Sequence, residues 1–138
     1  MRDLATFVTP TASTDADSDL IQAAFACLDR FTHAFNACDI AAMDGELHFP
    51  HIMLSGASRI DWQTPGQHPA DFFDTLKASG WARTRYLSKD PVLVSADKVH
   101  IVVTYTRDDA AGRVLSTHRN LWIVTRVAGR WGISLRSY

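Results

Sequence analysis

From Leu20 to Cys38 apolar residues recur at a helical interval, with Leu20, Ala24, Cys27, Phe31, Ala34, Phe35 and Cys38 on one side. These offsets follow the 3.6-residue period, so the spacing predicts an amphipathic helix that lays its stripe on an apolar surface. Asp29, Arg30 and Asn36 fall largely off that stripe. Ser18 or Asp19 is the expected cap, and Asp19 with Gln22 has capping-box spacing. Residues 1–18, dominated after Thr9 by Thr, Ser, Asp and Ala, read as a flexible tail. Asp39 suits the N-cap of a second, short helix from Ile40 to about Asp44, closed by Gly45.

The pattern then changes. A first strand is expected over His51 to Leu54, a turn at Ser55-Gly56-Ala57, and a second strand over Arg59 to Trp62. Thr64-Pro65-Gly66 breaks the chain, and Pro69 precedes a third helix, Ala70 to Ser79, that stops at Gly80. From Trp81 onward strands dominate. Trp81 to Leu87 and Val92 to Ser95 read as one long strand with a bulge at Lys89-Asp90-Pro91. Val99 to Arg107, Val114 to Arg126 and Trp131 to Ser137 follow as successive hairpin strands. The predicted class is α+β: a curved, mixed but mostly antiparallel six-stranded sheet wrapped around three helices from the N-terminal half. Residues 19–138 form its single domain.

Both faces of this sheet are apolar. Val99, Ile101, Val103 and Tyr105 point one way while Val102 points the other, and Leu121 and Ile123 oppose Trp122 and Val124. A sheet apolar on both faces needs covering on both. Helices account for one side, and a second copy of the sheet is the simplest cover for the other, which predicts a homodimer.

The totals narrow the classes. At 138 residues, 46% hydrophobic and 21% charged, the chain can bury one core and does not have a disordered composition. The net charge of -1 and the lack of a basic stripe argue against nucleic acid and against an anionic membrane surface. No stretch approaches the ~20 apolar residues of a membrane span, and Met1 to Val8 has no signal-peptide pattern, so a cytoplasmic location is expected. Cys27 and Cys38, placed in one helix, are separated by about 16 Å of rise. A disulfide needs Cα atoms within roughly 7 Å, so both read as small buried hydrophobes.

Phe35-Asn36-Ala37-Cys38-Asp39 is similar to the "LNAGD" segment that follows the first helix of nuclear transport factor 2-like proteins. Gly129-Arg130-Trp131-Gly132-Ile133, running on to Arg136-Ser137, is similar to their terminal "dGrWkI" strand. The order of elements agrees, and the likeness covers roughly Leu20 to Tyr138. Within that superfamily the chain most resembles uncharacterised bacterial members with the "HFPH" and "RWGI" stretches. The resemblance implies a cone-shaped fold with a pocket between the long helix and the concave sheet face. It does not imply an activity, because the superfamily holds isomerases, cyclases, dehydratases, hydrolases and transport factors. Ketosteroid isomerase, its best-known enzyme, carries an Asp base, a Tyr and a second Asp at positions that match Gly56, Thr32 and Leu121 here. None of the three has the required chemistry.

Candidate residues follow from the implied cone. His48-Phe49-Pro50-His51 enters the first strand at the pocket rim, and a histidine near neutral pKa is a general acid or base. His51 is the candidate base, with His48 as a ligand contact. Two histidines three apart in an extended segment make a poor metal pair, and no metal site is expected. Arg119 shares a strand face with Thr117, Leu121 and Ile123, and the resemblance puts that face on the concave side. There Arg119 would clamp a carboxylate or enolate oxygen, or pair with Asp71 or Asp74. Tyr105 is a donor to a substrate oxygen, and Phe31, Phe35, Trp62, Trp81 and Leu121 are wall residues. No cofactor motif is present. The functional expectation is a protein that binds a small, apolar or partly polar molecule, with an isomerase, dehydratase or cyclase as its enzymatic form. The alternative is a non-catalytic dimeric module for binding or protein interaction.

Overall fold

The long helix and the sheet close on each other through the predicted stripe. The computed structural model describes residues 3–9 and 12–138; residues 1, 2, 10 and 11 of the expected tail lie outside the described residues. The elements are α1 (Leu4–Phe7), α2 (Asp17–Asn36), α3 (Ile40–Gly45), β1 (Leu47–Ser55), β2 (Ser58–Trp62), α4 (Phe72–Ala78), β3 (Arg83–Ser95), β4 (Lys98–Asp108), β5 (Val114–Val127) and β6 (Arg130–Ser137).

Leu20, Ala24, Cys27, Leu28, Phe31 and Ala34 are the buried residues of α2. The helix starts earlier than the cap chemistry predicts, at an Ala16 N-cap with no side-chain hydrogen bond. Asp17 and Asp19 instead place negative charge in the first turn, where the helix dipole favours it. At the other end α2 stops at Asn36, and Cys38 lies beyond it with φ 56, so the single helix expected through Cys38 is shorter. Both cysteines are free. Asp39 caps α3 as expected, accepting the Ala42 N–H at 3.1 Å. The tail region contains α1, capped by Asp3 through the Thr6 N–H at 2.9 Å.

The sheet order is β2-β1-β6-β5-β4-β3. Every neighbouring pair is antiparallel except β1 with β6, which run parallel and join the short hairpin to the four long strands. β1 begins at Leu47, earlier than expected, because the ladder to β6 tolerates a register shift between Leu47 and Ile52, around Pro50. A proline without a donor obscures such a strand in the sequence. In β3 the expected interruption is two local shifts, at Tyr86/Ser88 and at Pro91/Leu93, within one continuous strand.

The core lies between α2 and the concave face. Val99, Ile101 and Val103 of β4, Trp122 and Val124 of β5, and Ile133 of β6 are buried there with Met43 and Leu47. Phe31 meets Trp122 edge-on at 5.7 Å. Val102, Leu121, Ile123 and Leu135 occupy the outer face and are half-buried. No helix among the described residues is long and apolar enough to cross a membrane.

One polar clamp ties the end of α2 to the start of β3. Asn36, at the last turn of α2, donates to the Thr84 carbonyl at 2.9 Å and accepts the Thr84 N–H at 2.8 Å. Trp81 donates from Nε1 to the Thr84 hydroxyl at 2.9 Å, locking the same corner. An Asn36→Ala change strands both backbone groups of Thr84. Each lost partner costs about 1–3 kcal/mol, so chemical denaturation is expected to show a loss of about 2 kcal/mol or more.

Candidate active site

The C-terminal half of α2, the end of β2, the loop before α4 and α4 itself face the concave sheet across a cavity of about 380 Å³. That lies within the roughly 300–1,000 Å³ usual for small-ligand sites. Phe31, Phe35, Trp62, Phe72, Tyr86 and Trp122 line it with aromatic surface. Against these walls a few polar groups stand out.

Arg136 is only 6% exposed and lines the cavity. Its strand position sets it beside Trp122 of β5 and Met53 of β1. Nε donates to His51 Nε2 at 3.0 Å, and Nη2 approaches Met53 Sδ at 3.3 Å. The guanidinium carbon sits 5.2 Å from the Phe31 ring centre and 5.9 Å from that of Trp122, both within cation–π reach. Among the described residues no carboxylate pairs with it.

His51 explains how that cation is held. Its Nδ1 lies 2.9 Å from the Ile133 carbonyl, which only accepts, so Nδ1 carries the proton and Nε2 is the acceptor for Arg136. Burial, reinforced by the Arg136 charge, pushes the imidazole down to about 3. His51 is therefore a neutral positioning residue.

His68 is the second polar group at the wall. Its ring lies 4.5 Å from that of Trp62 and 5.5 Å from that of Phe72. Nδ1 is 3.5 Å from Asp44 Oδ1, and neither atom has a hydrogen-bond partner in this arrangement although both are buried. A closer approach of about 0.5 Å makes this a normal hydrogen bond. Asp44 stands at the end of α3, and its other oxygen accepts the Gly66 N–H at 2.9 Å. Gly66 has φ +87, a conformation that a side chain would strain. With Nδ1 turned to Asp44, Nε2 keeps the free lone pair. Burial holds His68 below the ordinary histidine pKa, while Asp44 pulls it up and Arg136 pulls it down. A neutral imidazole backed by a carboxylate is suited to take a proton.

Tyr105, 6% exposed, completes the set. Its oxygen accepts from Asn120 Nδ2 at 2.9 Å, which leaves the phenol proton to donate elsewhere. Burial raises its pKa, so it stays a donor. Its ring stacks on His118 at 5.0 Å. Arg107, two residues along β4, also lines the cavity, and its Nε is buried without a partner.

Solved structures share this architecture. A Nostoc punctiforme protein of unknown function with a cystatin-like fold matches with a TM-score of 0.65 at 15% identity, over 92% of this chain and 92% of that one. A ketosteroid isomerase-like protein from Erwinia carotovora matches at 0.59 and 19% identity, over 88% and 95%. An NTF-2-like protein of unknown function from Shewanella oneidensis matches at 0.58 and 15%, over 88% and 98%. The chain has the nuclear transport factor 2-like fold. No family model matches the sequence, and no curated protein does. At these identities the likeness is one of architecture, and the site stands on its own geometry.

In this nuclear transport factor 2-like cone, Phe31, Phe35, Trp62 and Tyr105, all among the candidate site residues, line the cavity. Other expectations are corrected. His51 lies behind Arg136 as its support, with a pKa too low for a base near neutral pH. Arg119 is exposed on the outer face, and Leu121 is half-buried there. The inward residues of β5 are Asn120, Trp122 and Val124, aligned with Val103, Ile101 and Val99 of β4. Both faces of β5 are apolar, so alternation alone leaves the parity open, and the contact of Trp122 with Phe31 decides it. His48 lies outside the cavity, with Nε2 near the Thr125 and Arg130 carbonyls and Nδ1 near Arg130 Nη2. Trp81 is buried against Phe35 and Phe73. Arg136, His68 and Asp44 are not among the candidates that the sequence offers. Their only sequence signals are a histidine beside Pro69 in a loop, an acid before Gly45, and an arginine in an apolar terminal strand.

His51 supplies a pH signature. Its unfolded-state pKa is near 6.5 and its folded one about 3, so between them the unfolded chain binds the extra proton. The stability it confers is complete above about pH 6.5 and falls as the pH drops, by roughly 2 kcal/mol at about pH 5. His51→Gln keeps a donor for Ile133 and an acceptor for Arg136 but does not titrate. Urea denaturation at pH 8 and 5 should show a difference smaller by about that amount in the variant. An unchanged difference would assign the acid sensitivity to other groups.

Proposed function

We propose that the cone is an enzyme site for proton transfer on a small, largely apolar carbonyl compound, of the isomerase, dehydratase or cyclase type. The observation that carries this reading is the meeting of two costly groups on one apolar cavity: a histidine backed by a buried carboxylate, and a buried guanidinium with no counter-charge. A wall serving only as packing gains nothing from an uncompensated buried cation.

In this scheme His68 Nε2 removes a proton from the carbon next to the carbonyl. Asp44 accepts from Nδ1–H and stabilises the imidazolium that forms. The electron pair left by the C–H bond moves onto the carbonyl oxygen, and Arg136 and the Tyr105 hydroxyl meet the developing oxyanion. The proton held on His68 then returns to another carbon in an isomerisation, or leaves with a hydroxyl as water in a dehydration. One matched structure is named ketosteroid isomerase-like. By contrast, the proposed base here is a histidine from the loop before α4.

The test is hydrogen exchange in D₂O, followed by NMR on tetralone, indanone and cyclohexenone. The protein should speed exchange at the carbon beside the carbonyl, and His68→Gln should slow the catalysed rate by about 10²- to 10⁴-fold. The rate should hold at neutral pH and fall only in acid, since the His68 pKa is lowered. Absence of both binding and exchange across the series would sink the proposal.

A further inference from the structure

The cavity carries an unbalanced charge. Arg136 and Arg107 both line it, whereas among the described residues no Asp or Glu side chain does and no ion pair holds either arginine; Asp44 stands behind His68. The two cations differ in depth and in what they lack. Arg136 is buried on β6 and spends Nε and Nη2 on the neutral acceptors His51 and Met53, while Nη1 makes no hydrogen bond among the described residues. Arg107 is half-buried near the end of β4, makes no ion pair among the described residues, and has a buried Nε with no hydrogen bond. Tyr105 shares the inward face of β4 with Arg107, and its ring lies 6.1 Å from that of Trp122, on which Arg136 also rests.

Resting on the proton-transfer reading of this same cavity, we infer that its substrate is a ring-bearing keto acid: a carbonyl oxygen meets Arg136 and Tyr105, and a separate carboxylate meets Arg107. A neutral ketone could accept from Arg136 through its carbonyl oxygen but would leave the Arg107 Nε unpartnered throughout. An anionic ligand supplies the missing acceptor and cancels repulsion between two guanidinium groups facing a low-dielectric space. The aromatic walls take the ring, and the carboxylate, held away from the reacting carbon, orients it toward His68.

Calorimetric titration of the whole chain tests this with β-benzoylpropionate, γ-benzoylbutyrate and a tetralone carboxylate, each against its methyl ester, and with tetralone as the neutral ketone. The acids should bind roughly ten- to a hundredfold more tightly than their esters, as expected for a charge-assisted hydrogen bond. Arg107→Gln should bring acid and ester within about threefold of each other, Arg107→Lys should restore much of the preference, and His68→Gln should keep it. Esters that bind as well as acids, or a preference undiminished in Arg107→Gln, would overturn the keto-acid assignment and leave the small-molecule reading standing. If acids, esters and tetralone all fail to bind, the proton-transfer reading itself falls, and this inference with it.

Discussion

The Arg136 guanidinium is buried inside an apolar cone and pairs with no carboxylate among the described residues, and much of the site follows from how that charge is tolerated. Arg136 gives Nε to a neutral histidine and rests against the rings of Phe31 and Trp122. These contacts offset part of the desolvation without cancelling the charge, as a salt bridge would. His51 does this only because the Ile133 carbonyl fixes its tautomer, and Ile133 belongs to β6, the parallel neighbour of β1. The parallel pairing of β1 with β6 thus sets the support for the arginine and brings Met53 and Arg136 together at the cavity wall.

The two histidines at this end of the cone illustrate how surroundings divide roles. His51 is sealed, hydrogen-bonded at both nitrogens and driven far below its ordinary pKa, so it serves geometry. His68 faces a buried acid at one nitrogen and keeps the other free, with burial and Asp44 acting on it in opposite directions. Arg136 touches one and depresses both. Removing the cation would therefore alter the charge of the cavity wall, the contact with His51 and the surroundings of the proposed base together.

Much of the architecture was legible in the chain. The stripe from Leu20 to Phe35 named the helix and its buried face, Asp39 named a cap, and alternation named the long strands. Those features depend on local periodicity and on hydrogen bonds between near neighbours, which sequence spacing expresses directly. Strand ends near Pro50 and Pro91 were less legible, because register shifts preserve the ladder where the pattern suggests a break.

The site itself was less accessible. Phe31, Phe35 and Trp62 are legible as candidates for the wall because large apolar side chains on a known helix or strand face have few other places to go, whereas Trp81 packs into the core. His51 and Arg119 stand out in the sequence by their chemistry, whereas His68, Asp44 and Arg136 come to the cavity only because three distant segments converge. The sequence by itself determined the class of fold, its elements and the apolar character of the cone. Only the tertiary structure decided which face of β5 turns inward, which histidine meets a carboxylate and which arginine is left without one. Periodicity specifies neighbours a few residues apart, but partner, burial and charge balance are set by contacts across the whole chain.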